Sequence, residues 1–177
     1  MKKWTLIILL FIIVNIFLGC VTARIQSELI LNDEYFQIAH REIQNAKESV
    51  HLVAYLFLLY DYKDAYSNRL LRDFIDARTR GLDVYVVLDY PKSEYIKEET
   101  LKNQEVFNKL KAAGINVRFD SSKRTTHSKV LVIDKETIII GSHNYSFDGL
   151  KNNNDTSLLL RDKDKAKRLI EYIEHIE

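Results

Sequence analysis

The chain has 177 residues, 46% of them hydrophobic and 29% charged, with one proline and one cysteine. That composition excludes a disordered or low-complexity chain and leaves room for one domain with a core of its own. A net charge of +1 excludes a global pull towards nucleic acid or anionic lipid, so any polyanion site must be a local basic patch.

Residues 1–21 open with Lys2-Lys3 and continue as an apolar run from Trp4 to Val21, broken only by Thr5 and Asn15. This is a membrane-targeting segment with three fates open to it: a cleaved secretory signal, a retained anchor, or a lipoprotein signal cut before a lipidated Cys20. Gly19-Cys20 fits the lipoprotein cleavage pattern, whereas Phe17-Leu18 departs from it. Cys20, as the sole cysteine, also rules out a disulfide within the domain that follows. The two lysines favour an inside N-terminus, so residues 22–177 are expected on the non-cytoplasmic side of a membrane, in the cell envelope if the source is a bacterium.

Asn32 or Asp33 is placed to cap a first helix, which Phe36, Ala39, Ile43 and Ala46 stripe as far as about Ser49. Val50 to Leu59 reads as a buried strand and Asp61 to Ser67 as a polar, tyrosine-rich loop. Leu70, Leu71, Phe74, Ile75 and Ala77 stripe a second helix that stops at Gly81, and Asp83 to Asp89 is a strand ended by Pro91. A polar linker follows, then a helix carrying Leu101, Phe107, Leu110 and Ala113, then a short strand at Ile115 to Phe119. Ser128 to Ile133 and Thr137 to Ile140 form a hairpin across the turn Asp134-Lys135-Glu136. Ser157 to Leu160 adds a strand, and Ala166, Leu169, Ile170 and Ile173 stripe a closing helix. The alternation predicts an α/β domain over residues 22–177, with a mixed sheet and helices on both faces.

The chemistry concentrates on the hairpin. His127 and Lys129, two residues apart on an extended chain, project to the same side. An ammonium beside a neutral imidazole suits phosphate chemistry, because the cation holds the anion while a ring nitrogen attacks phosphorus. Gly141-Ser142-His143-Asn144 then brings a hydroxyl and an amide back beside the start of the hairpin, both neutral groups able to bind phosphate. Alone, a strand histidine or a Gly-Ser turn is ordinary. Together, His127-x-Lys129, Asp134, Gly141-Ser142 and Asn144 set six identities within one short stretch.

That run resembles the signature of the phospholipase D superfamily. The flanking segments Ala54-x-Leu56-Phe57, Arg80-Gly81-Leu82-Asp83-Val84 and Ala113-Gly114-Ile115-Asn116-Val117 are similar as well. The resemblance implies that His127 is a nucleophile forming a phosphohistidine, that Lys129 and Asn144 hold phosphoryl oxygens, and that Ser142 adds a hydroxyl contact. Asp134, in the turn at the far end of the strand, is expected to brace the hairpin. Family members often carry a glutamate after the Gly-Ser-x-Asn segment that hydrogen-bonds the histidine; here Asp155 stands in the matching stretch, one methylene shorter.

The family chemistry needs two histidines, one to attack and one to protonate the leaving oxygen. His40, His51, His143 and His175 lie in no second His-x-Lys setting, so a homodimer with its active site at the two-fold interface is expected. The mechanism implied uses no metal and no other cofactor. Arg118, Lys123, Arg124, Lys129 and Lys151 suggest a basic surface, with Arg124 a candidate substrate-binding residue, and Tyr55, Phe57, Tyr60, Tyr62 and Tyr66 are available to stack bases or line a lipid groove. A nuclease acting on DNA or RNA is the first expectation, a phospholipase D acting on a phospholipid head group or cardiolipin the second, and an inactive polyanion-binding module the third.

Overall fold

The computed structural model describes residues 26–90 and 101–177. Residues 1–21 with Cys20, and the linker from Pro91, lie outside the described residues. Among the described residues no helix is long and apolar enough to cross a membrane.

In chain order the elements are β1 (Gln26–Leu31), α1 (Glu34–Asn45), β2 (Ser49–Ala54), α2 (Tyr66–Thr79), β3 (Asp83–Leu88), α3 (Leu101–Ala112), β4 (Asn116–Phe119), β5 (Lys129–Ile133), β6 (Thr137–Gly141), α4 (Phe147–Lys151), β7 (Thr156–Arg161) and α5 (Lys163–Glu174). They build one seven-stranded sheet in the order β1-β7-β6-β5-β2-β3-β4. Strands β2, β3 and β4 run parallel, and β5 turns the sheet antiparallel against β2. The mixed sheet expected from the hairpin is therefore present.

Central β2 is buried at every position because helices cover both its faces. On one face Phe36, Ile43, Leu70, Phe74, Val106, Leu110 and Leu150 bring α1 to α4 onto Leu52, Leu131 and Ile139. On the other, Ala166 and Ile173 of α5 pack on Val53, Val130, Val132 and Ile138. Each such large side chain contributes about 1.5–3 kcal/mol on burial.

Several boundaries move from the expected ones. The strand expected to reach Leu59 leaves the sheet after Ala54, since Leu56 and Leu58 pair instead with Tyr145: Tyr145 N–H donates to Leu56 O at 2.9 Å and Leu58 N–H to Tyr145 O at 2.8 Å. Hydrophobicity there reflects a buried loop. Asp33 occupies the cap of α1 without a side-chain bond, and the Glu34 carboxylate instead takes the Leu31 N–H at 2.9 Å. Strand β1 and the short α4 were not expected. Only Ile30 of β1 is buried, so its sequence shows no alternation to detect.

The β5–β6 turn has φ of 51° at Asp134 and 56° at Lys135, the left-handed pair that matches the twist of a hairpin. Gly141 is required for a different reason. A Cβ there would run into Ser157 Oγ and Thr156 O and lie 2.5 Å from Ser157 Cα, so only glycine lets β6 approach β7 at this point.

Candidate active site

The topology gathers one set of loops at a single edge of the sheet. Ala54 of β2 pairs with Lys129 of β5, and the carboxyl ends of β3 and β4 lie at the same edge. So do the end of β6 at Gly141 and the start of β7. Tyr55, Asp89, His127, Ser142, Asn144 and Asp155 all follow or precede these strand ends, in the position where parallel strands of open sheets commonly place their sites. Buried Asn103 of α3 ties two of the loops together. Its amide nitrogen donates to Tyr55 O at 2.9 Å and Asp89 O at 3.1 Å, and its oxygen accepts the Phe57 N–H at 2.9 Å.

His127 lies exposed in the segment entering β5, two residues before the strand itself, while Lys129 is buried. Lys129 Nζ is 3.1 Å from His127 Nε2 and donates to His127 O at 2.9 Å. An ammonium only donates, so Nε2 is the accepting nitrogen and the ring proton sits on Nδ1. Burial, and then the Lys129 charge, hold the His127 pKa below the ordinary histidine value, which keeps the imidazole neutral and nucleophilic near neutral pH. Burial also lowers the Lys129 pKa, partly offset by the negative charges of Asp155 and Asp89. The Tyr55 ring, expected only as one of five aromatics able to stack bases or line a groove, walls the pair: its centroid is 4.6 Å from that of His127 and 5.0 Å from Lys129 Nζ. The signal available for it was its place just after β2, beside the strand that carries Lys129.

Ser142 and Asn144 stand on the loop after β6. Ser142 Oγ donates to Asp155 Oδ1 at 2.5 Å and accepts the Thr156 N–H at 3.1 Å. The Asn144 Oδ1 is buried with no hydrogen-bond partner. A Cβ on Gly149 would lie 2.5 Å from Asn144 O, so α4 seats its glycine directly on this loop. The intervening His143 is fully buried and stacked on Tyr35, with Nε2 donating to Asn32 O at 2.8 Å and Nδ1 accepting from Ser157 Oγ at 2.7 Å. Both nitrogens are thereby satisfied, and His143 anchors the loop to β1 and β7.

Two expected placements change, those of Asp155 and Arg118. No hydrogen bond joins Asp155 to His127 among the described residues; the short aspartate arm is taken by Ser142, and it acts on Lys129 through its charge alone. Asp134 lies at the opposite edge of the sheet, where its carboxylate accepts the N–H groups of Lys47, Glu48 and Ser49 at 2.7–3.1 Å. There it braces the hairpin by tying its turn to the α1–β2 loop. Arg118 leaves the expected basic cluster, because its guanidinium bonds Tyr85 Oη, Phe119 O and the Ile173 and Glu174 carbonyls at the end of α5. Arg124 remains exposed and lines a groove of about 280 Å³ with Thr126, His127, Ser128, Tyr172 and His175. Of the aromatic set, Phe57 is core and Tyr66 stacks on Phe36, while Tyr60 and Tyr62 group with Phe147 at the surface.

Among the described residues no group of three His, Cys, Asp or Glu side chains converges as a metal site. The site joins a neutral histidine, an adjacent cation, a hydroxyl and an amide, which is an arrangement able to bind and attack a phosphodiester.

Comparison with known proteins agrees with this chemistry. The family described as "Cardiolipin synthase, PLD-like domain" matches residues 40–177. The chain is 29% identical over 131 residues to a phospholipase D of Rickettsia prowazekii, covering 74% of this chain and 57% of the relative. It is 31% identical over 97 residues to the human mitochondrial cardiolipin hydrolase, covering 55% of this chain and 36% of that protein. The fold is shared with Nuc, a phospholipase D family member from Salmonella typhimurium (TM-score 0.69, 21% identity, covering 85% of this chain and 93% of Nuc). It is shared also with NucT from Helicobacter pylori (TM-score 0.61, 20% identity, covering 86% of this chain and 96% of NucT). From the hairpin motif, the sheet edge that assembles it and the family match over most of its length, the chain belongs to the phospholipase D superfamily.

Proposed function

We propose that this chain is a metal-independent phosphodiesterase that works through a phosphohistidine on His127, with nucleic acid as its first substrate class. The observation that carries the reading is the 3.1 Å contact between Lys129 Nζ and the unprotonated His127 Nε2 at the mouth of an open groove. Nε2 of the neutral ring attacks phosphorus and the P–O bond to the leaving group breaks, the leaving oxygen taking a proton from the protonated imidazolium of His127 of the partner subunit, which is left neutral. That second ring then removes a proton from water, whose oxygen displaces His127 from phosphorus and releases the phosphate monoester.

The groove beside His127 is lined mainly by polar residues, Arg124, Thr125, Thr126 and Ser128 among them, which suits a charged backbone better than acyl chains. A phospholipid substrate is the second reading. It is favoured by the relatives named phospholipase D and cardiolipin hydrolase and by the apolar run at residues 4–21. The full chain, assayed in EDTA on single-stranded DNA, RNA, phosphatidylcholine and cardiolipin beside His127→Ala, separates them. Loss of every activity in EDTA, or full activity in the variant, would overturn the mechanism.

A second copy is expected to dock on an exposed apolar row. Leu29, Leu158 and Ile140 are register neighbours across β1, β7 and β6, and they stand exposed beyond the part of the sheet that α5 covers. The row ends one residue before the Gly141-Ser142 loop of the site. Leu158→Arg is expected to lower the dimer fraction in sedimentation and the rate together, whereas a monomeric wild-type chain with full rate would refute the dimer. Lys2 and Lys3 before the apolar run orient the domain to the non-cytoplasmic side, and protease accessibility in intact cells tests that placement.

A further inference from the structure

Asp89, the residue after β3, is buried to 2% exposure and has no part in the chemistry above. Its Oδ1 accepts the N–H of Thr126 at 2.7 Å, the residue immediately before His127. Its own backbone is held on both sides, N–H to Ala54 O at 3.2 Å and carbonyl to the Asn103 amide at 3.1 Å. Asp89 thus links three strand ends, and through Thr126 it sets where the His127 segment enters β5.

The choice of a carboxylate here needs a cause. An asparagine oxygen would accept the Thr126 N–H at far smaller desolvation cost. What the carboxylate adds is charge, and the negative charge of Asp89 acts on the Lys129 ammonium together with that of Asp155. Around Lys129 stand His127 on its own segment, the Tyr55 ring after β2, Asp155 before β7 and Asp89 after β3. Asp155 is engaged by the Ser142 hydroxyl, while Asp89 holds a neutral backbone N–H.

We propose that Asp89 is a positioning residue of the site, fixing the backbone that presents His127 and placing a buried carboxylate at the strand ends from which Lys129 projects. The role deepens the phosphodiesterase reading and rests on it for its catalytic consequence. Without Asp89, burial is less opposed and Lys129 loses its proton at lower pH.

The test uses the full chain carrying carbon-13-labelled lysine, with Lys129 followed by NMR through a pH titration. Asp89→Asn keeps an acceptor for Thr126 but no charge, and it is expected to lower the Lys129 titration midpoint by about 1 unit. The alkaline limb of bis(p-nitrophenyl) phosphate hydrolysis should move down with it. Asp89→Ala removes acceptor and charge, and should also lower kcat at neutral pH about tenfold relative to Asp89→Asn. Asp89→Glu retains the charge and should return the midpoint towards wild type, which keeps the test open should the asparagine variant not fold. A Lys129 midpoint unmoved in Asp89→Asn, or displaced equally in Asp89→Glu, would overturn the proposal. Absence of hydrolysis by the wild-type chain would instead refute the phosphodiesterase reading, and the titration would still decide the role of Asp89.

Discussion

The two ends of the β5–β6 hairpin carry parts of one sequence motif and treat their polar groups in opposite ways. At the turn end, the Asp134 carboxylate is engaged by three successive backbone N–H groups. At the open end, Lys129 bonds a neutral histidine, Asn144 keeps a buried, unpartnered oxygen, and His127 and Ser142 are exposed. A saturated charge stabilises the fold, whereas polar groups left with spare capacity at an accessible edge are available to a substrate. The motif therefore joins a structural residue to chemical ones.

The sharpest break of that contrast is His127→Ala. It should cut phosphodiester hydrolysis by about 10⁴-fold or more while leaving the thermal midpoint near wild type, as read by steady-state kinetics and calorimetry. Asp134→Ala should do the reverse, costing about 3 kcal/mol in urea unfolding with kcat of the folded enzyme little changed. Similar losses of rate in both variants would erase the distinction between the two ends.

The pH profile sharpens it further. Attack needs a neutral His127 and proton delivery needs a protonated His127 of the partner subunit; because the folded-state pKa lies below the usual histidine value, the acid limb of kcat/KM should lie below about pH 6.5. An acid limb above that value would mean that another group controls attack. The smallest effect is expected at the wall of the site: Tyr55→Leu removes a ring over Lys129 and should cost about fivefold in kcat/KM, close to 1 kcal/mol. A change confined to stability would make Tyr55 a packing residue alone.

Much of this was legible in one dimension. Stripes such as Leu70, Leu71, Phe74 and Ala77, and the hairpin around Asp134-Lys135, declared their elements because helix and hairpin periods are local properties. Loop residues 55–58 misled because burial and strand pairing were confounded there: Phe57 is fully buried yet makes only an isolated bridge to Tyr145. Arg118 misled for the opposite reason, since a charged residue near the motif reads as substrate-facing until α5 is seen to place its terminal carbonyls beside it.

The sequence by itself determined the superfamily and the proposed nucleophile and cation, because residue types at set spacings along one hairpin specify them without reference to the rest of the chain. Tertiary structure alone decided which partners surround them. Tyr55, Asp89 and Asp155 flank strands β2, β3 and β7, distant in sequence, and meet Lys129 only because mixed pairing brings those strand ends to one edge. Charge and hydrogen bonding act through distance in space, so the place of Asp89, and the engagement of Asp155 by Ser142 and Lys129 in place of His127, emerged only once the sheet was assembled.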